Sequence, residues 1–103
     1  MLQDYPKYSD FENDSFLKGD KVTIEEILNK EIVITNIKKE KSKLQQGGTY
    51  NKIQIIDKFV DGQPHYAIFF SSSGILEKQI NKYKDNLPFS ATIIKQKNYY
   101  TLI

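Results

Sequence analysis

Apolar and polar residues trade places along this chain with two different periods, and the switches between them divide it into elements. EIVITNIK is rich in β-branched residues and reads as a strand that frays into the lysines after it. In TYNKIQIIDKF the period is two: Ile53 and Ile55 fall on one face, and Tyr50, Lys52, Gln54 and Lys58 on the other. Gly47-Gly48 marks a turn between these runs, and Asp61-Gly62 marks a hairpin leading into HYAIFFS. The period then becomes helical in GILEKQINKYK, where Leu76, Ile80 and Tyr83 share a face behind a cap at Ser73 or Gly74. Leu87-Pro88 ends that helix. FSATIIKQ and YYTLI read as two more strands around a tight turn at Lys97-Asn98. Nearer the N-terminus, TIEEILNK predicts a short helix with Thr23 and Glu26 spaced as a capping box.

The order is three strands, a helix and two strands, with a short helix in front. This predicts an all-β fold, the OB-fold, a small and partly open barrel whose end Leu76 and Ile80 would plug. A split α+β sandwich shares the order. Residues 1–19 follow no period and mix acids with Tyr5, Tyr8, Phe11 and Phe16, so they read as an acidic aromatic arm before a domain at 20–103.

Charge sharpens that division. Met1 to Lys30 holds seven acids against four lysines and Glu31 to Ile103 six against eleven, so the net +2 splits into −3 and +5. An acidic arm before a basic body points to a polyanionic partner. Every basic residue is lysine. An ammonium neutralises phosphate as a point charge but lacks the fork with which arginine reads base edges, so binding without sequence preference is expected. The absence of cysteine excludes disulfides and thiolate metal sites. With no apolar run of bilayer length and no signal peptide, a cytoplasmic protein is expected.

Catalytic chemistry finds little support. His65 stands without a nucleophile beside it and reads as a turn residue. Asp4, Asp10, Glu12 and Asp14 lack the spacing of a calcium loop. Ser71, Ser72 and Ser73 lack the Gly-x-Ser-x-Gly elbow, and Gly47-Gly48 is not followed by the Lys-Ser/Thr of a phosphate loop. The chain is expected not to be an enzyme and to need no cofactor.

Binding of unpaired strands requires cations along the phosphates and π-faces for the bases. Lys41, Lys43, Tyr50, Lys52, Lys58, Tyr66, Lys95, Lys97 and Tyr99 supply both, on the strands and loops that surround the groove of an OB barrel. Lysine and glutamine are common on any half-solvated strand, so alternation alone declares only a wet face. The chain order around it is what predicts a groove. Phe69, Phe70, Phe89 and Tyr100 are expected in the core, and Tyr83 beneath the helix.

The runs KEIVITNI, SKLQQGGTYNKIQI, HYAIFFSSSGILEKQI and LPFSATIIKQKNYYTLI resemble the small single-stranded-DNA-binding proteins of phages and plasmids of Gram-positive bacteria. The resemblance covers roughly residues 20–103. It implies an OB-fold, no catalysis, a role in replication or recombination, and a groove involving Lys43, Tyr50, Lys52 and Tyr66. A stacking surface accepts DNA or RNA alike, and the edge of YYTLI offers a route to a homo-oligomer. The competing reading is a protein-interaction or inhibitor module that works through the acidic arm.

Overall fold

The computed structural model describes residues 17–41 and 48–103. Strand β1 (Asp20–Lys21) precedes helix α1 (Ile24–Ile27), then β2 (Glu31–Lys41), β3 (Thr49–Val60) and β4 (Gln63–Ser71). Helix α2 (Gly74–Lys82) and a single 3-10 turn (Lys84–Asn86) lead into β5 (Phe89–Gln96) and β6 (Tyr99–Leu102). The fold is mostly β, as expected. Among the described residues the sheet has six strands, not five, in the order β1-β4-β3-β2-β5-β6. The extra strand is β1, which pairs parallel with β4 through only Asp20↔Ala67 and Lys21↔Ile68. Two residues carry no periodic signal, which is why alternation could not find it.

Local chemistry sets the boundaries. The Thr23 amide donates to the Glu26 carboxylate at 2.6 Å, half of the reciprocal cap that starts α1. The Ser73 hydroxyl accepts from the Leu76 amide at 3.2 Å and starts α2. Asp61 and Gly62 take φ of 52° and 79°, the left-handed pair that a two-residue hairpin demands. At the other predicted turn Lys97 takes φ of 48°.

Among the described residues twelve buried side chains form the core, led by Ile32, Ile34, Ile53, Ile55, Phe69 and Ile93 from the sheet and Leu76 and Ile80 from α2. Strands β3, β4 and β5 contribute alternate residues, as does β2 apart from a bulge between Ile34 and Asn36, so their remaining positions face outward. Helix α2 is tied down from its middle turns, by Gln79 and Glu77. Gln79 donates to the Thr101 hydroxyl and accepts from the Leu102 amide, each at 2.9 Å. Glu77 meets the Lys39 ammonium at 3.0 Å, and that ion pair with a hydrogen bond from buried Asn51 holds its carboxyl below the usual value. Tyr83 corrects the expectation made for it: it stands just past the last turn of α2 and is half exposed.

The chain's approach to β1 shapes the outer face of the sheet. Leu17 and Ile68 are buried yet lie outside the core cluster. Ile68 pairs with Gln54 and shares its outward face. The Gln54 side-chain amide donates to the Lys18 carbonyl at 2.8 Å, and its oxygen accepts from the Thr35 hydroxyl at 2.8 Å. Running back from β1, the chain therefore crosses β4 at Gly19 and reaches β3 at Lys18. Leu17–Gly19, assigned to the arm from sequence, is a strap across the outer face of the sheet. Gly19 is required there: its φ is 144°, and an added Cβ would come within 2.7 Å of the Tyr66 backbone. Gly19→Ala is expected to cost about 1–3 kcal/mol through backbone strain. A urea titration will read this as a lower midpoint at unchanged slope, because the core does not include the strap.

Candidate nucleic-acid interface

The outer face is built by register. Lys52↔Phe70, Gln54↔Ile68 and Ile56↔Tyr66 pair across β3 and β4, and Lys38↔Lys52 and Glu40↔Tyr50 across β2 and β3. Side chains at paired positions stand next to one another, about 5 Å apart at Cβ. At one end of this face Tyr50 meets Phe70 edge-to-face, with ring centroids 5.6 Å apart. The Lys21 ammonium, carried by β1, stands 5.0 Å from the centre of the Phe70 ring. These three side chains line a shallow depression. Phe70 is 38% exposed, which corrects its expected place in the core.

Phe70 also lines a larger cleft of about 540 Å³, together with Ser71–Gly74 at the start of α2 and Asn98, Tyr99 and Tyr100 of the last hairpin. One ring thus borders both hollows, and the half-buried Tyr50 and the exposed Phe70 and Tyr99 succeed one another along a single path. The floor of the cleft is fixed by the Tyr100 hydroxyl, which donates to Glu25 of α1 at 3.0 Å. That hydrogen bond is the main cause holding the Tyr100 phenol above its ordinary value.

The sequence-predicted residues divide into three groups. Tyr50, Lys52 and Tyr66 share the outer face, and Tyr99 joins them through the cleft. Tyr66, however, is separated from Phe70 by Ile68 and by the strap at Gly19. Lys58, Lys95 and Lys41 stand elsewhere. A bulge at Asp57 shifts the register so that Lys58 opposes His65 and turns to the core side. Lys95 pairs with Tyr100, its ammonium 5.9 Å from that ring. Lys41 ends β2 opposite Thr49, with the parity of Lys39 and not of Lys38. Lys97 is exposed at the hairpin turn. Lys43 and the acids Asp4, Asp10, Glu12 and Asp14 lie outside the described residues.

Sequence reasoning missed Lys21 and Phe70. Parity could have found Phe70, because Ala67 and Phe69 point inward and their alternates must point out. Nothing local marks Lys21, which reaches the face only through β1. Lys38 is partly engaged by Glu40 at 3.6 Å on the same strand.

His65 is not the isolated turn residue expected. Its Nδ1 lies 2.6 Å from Asp57 and its Nε2 2.8 Å from Asp20, and these two hydrogen bonds, Asp57 first, raise its pKa. Among the described residues no group of three or more His, Asp or Glu side chains has the arrangement to hold a metal ion. Nor is any described helix long and apolar enough to cross a membrane.

Fold and face together define a small, mostly β domain that presents an aromatic path with lysines on the same sheet face. Residues 18–103 match the family model described as "Domain of unknown function (DUF8468)", and the chain belongs to that family. No curated protein and no solved structure matches it.

Proposed function

We propose that this protein binds single-stranded nucleic acid without sequence preference, serving replication or recombination of a phage or mobile element. The observation that carries the reading is the double role of Phe70. It borders the Lys21–Tyr50 depression on one side and the Tyr99 cleft on the other. Unpaired bases stack on such rings for about 1–3 kcal/mol each, whichever base is present. Lys21, Lys38 and Lys52 stand on the same face to track the phosphates.

Topology supports the same reading. Without β1, the strand order is β4-β3-β2-β5-β6 with α2 between β4 and β5. That is the order of an OB barrel opened along one seam, a fold that binds oligonucleotides on its second and third strands and on two flanking loops. In this chain those strands are β3 and β4, and one flanking loop is the Lys97-Asn98 hairpin.

Titrating fluorescent oligo-dT and a duplex of equal length over a range of salt tests the proposal. The single strand should bind preferentially, with quenching of tyrosine fluorescence. The logarithm of affinity should fall against the logarithm of salt with a slope of roughly −2, about −0.7 for each of three engaged lysines. Equal binding of the duplex, or no binding in dilute buffer, overturns the reading.

A further inference from the structure

We propose that Asp57, His65 and Asp20 form a proton-operated clasp that holds the Leu17–Gly19 strap over the outer face, closed when the imidazole carries both protons and open when it loses one. The effect on ligand binding rests on the proposed nucleic-acid function; the clasp itself does not.

The geometry dictates the logic. An imidazole can donate from both nitrogens only when it is protonated. Here both nitrogens face a carboxylate at hydrogen-bond distance, Asp57 from β3 and Asp20 from β1. Once one proton leaves, one nitrogen must turn a lone pair toward an anionic oxygen 2.6–2.8 Å away. The two carboxylates are not equivalent. Asp57 is held in the bulge, with its side chain 19% exposed, whereas the Asp20 side chain is 79% exposed. Nδ1–H therefore stays on Asp57 and Asp20 is released.

Other charges face the same recess: Glu26 from α1, Lys30 from the turn after it, and Lys58 opposite His65 on β3. Glu26 is already engaged by the Thr23 amide, and the two ammonium groups disfavour the imidazolium. The two carboxylates prevail, since they make the direct contacts. The paired imidazole keeps its proton to higher pH than a free one. The stability it confers is complete below the ordinary histidine value of 6.5 and is lost as pH climbs through the raised value.

Asp20 is where the strap is fastened. Beyond it, β1 offers one further ladder position and the bond from the Val22 amide to the Ile68 carbonyl, 2.9 Å long. Releasing Asp20 frees Gly19 from the Tyr66 backbone and Lys18 from Gln54. This opens the stretch of face between Tyr66 and Phe70 and lengthens the aromatic path. A nucleic-acid strand occupying that stretch would bind more tightly as pH rises. Histidine titration acting directly on a phosphate ligand gives the opposite sign.

Amide hydrogen exchange at Val22, whose N–H donates to the Ile68 carbonyl, corrected for intrinsic rates, reads the clasp without any ligand. From about pH 6 to about pH 8.5, protection in the native protein should fall severalfold. In Asp20→Asn the amide can accept from Nε2–H or donate to its lone pair, so protection should stay flat across the range. Oligo-dT affinity on the same samples should rise with pH in the native protein and stay level in the variant. Flat exchange in the native protein, or an equal fall in Asp20→Asn, overturns the clasp while leaving the nucleic-acid reading intact. Exchange behaving as expected with no oligonucleotide bound at any pH upholds the clasp and removes that reading.

Discussion

Replacing Phe69 with alanine should remove about 3–5 kcal/mol of folding stability, the usual cost of emptying a buried aromatic site. Against a total of roughly 5–15 kcal/mol for a domain, such a loss leaves a large unfolded population at physiological temperature. Phe69 heads the fully buried side chains and stands opposite Ile53 in the ladder of β3 and β4. Leu76 and Ile80 of α2 belong to the same cluster, so the ring joins sheet and helix. Its sequence neighbour provides the control. Phe70 points the other way, and surface truncations away from special contacts fall within about 0.5 kcal/mol. Its edge contact with Tyr50 adds about 0.5–1.5 kcal/mol at most. Urea midpoints at constant slope will separate the two. Equal losses at Phe69 and Phe70 would mean that the strand does not alternate as described.

The contrast between these two phenylalanines explains how far the sequence could be read. Alternation is legible where one face is wet, and TYNKIQI displayed its inward Ile53 and Ile55 at once. In AIFF it disappears, because Ile68 is buried on the outer face while Ala67 and Phe69 are buried on the inner one. A strand covered on both faces reads as a continuous apolar run. Lys58 failed for a different reason: a one-residue bulge inverts every side chain after it, and Asp57 carries no local sign of one. Turns and caps were legible because their causes are local, as at Asp61-Gly62, Ser73 and the Thr23–Glu26 pair. The His65 cluster was not, since Asp20 lies 45 residues from its partner. Only the folded chain brings them together.

The candidate site stands or falls on Tyr50 and Phe70. Truncating either to alanine should weaken oligo-dT binding by about 1–3 kcal/mol, or roughly fivefold to 150-fold. The rings touch edge-to-face at 5.6 Å, so the double variant should lose less than the sum of the singles, as coupled neighbours do. Neither change should unfold the domain, because both rings lie on the outer face and outside the core cluster. Tyr99 should behave similarly, since it lines the cleft that Phe70 borders. Tyr66 should matter less while the clasp is closed, because the strap then separates it from the others. Lys58, turned to the other side of the sheet, is the decisive comparison. If Lys58→Ala weakened binding more than Tyr50→Ala or Phe70→Ala, the nucleic acid would run along a different surface and the aromatic path would be ordinary wet sheet.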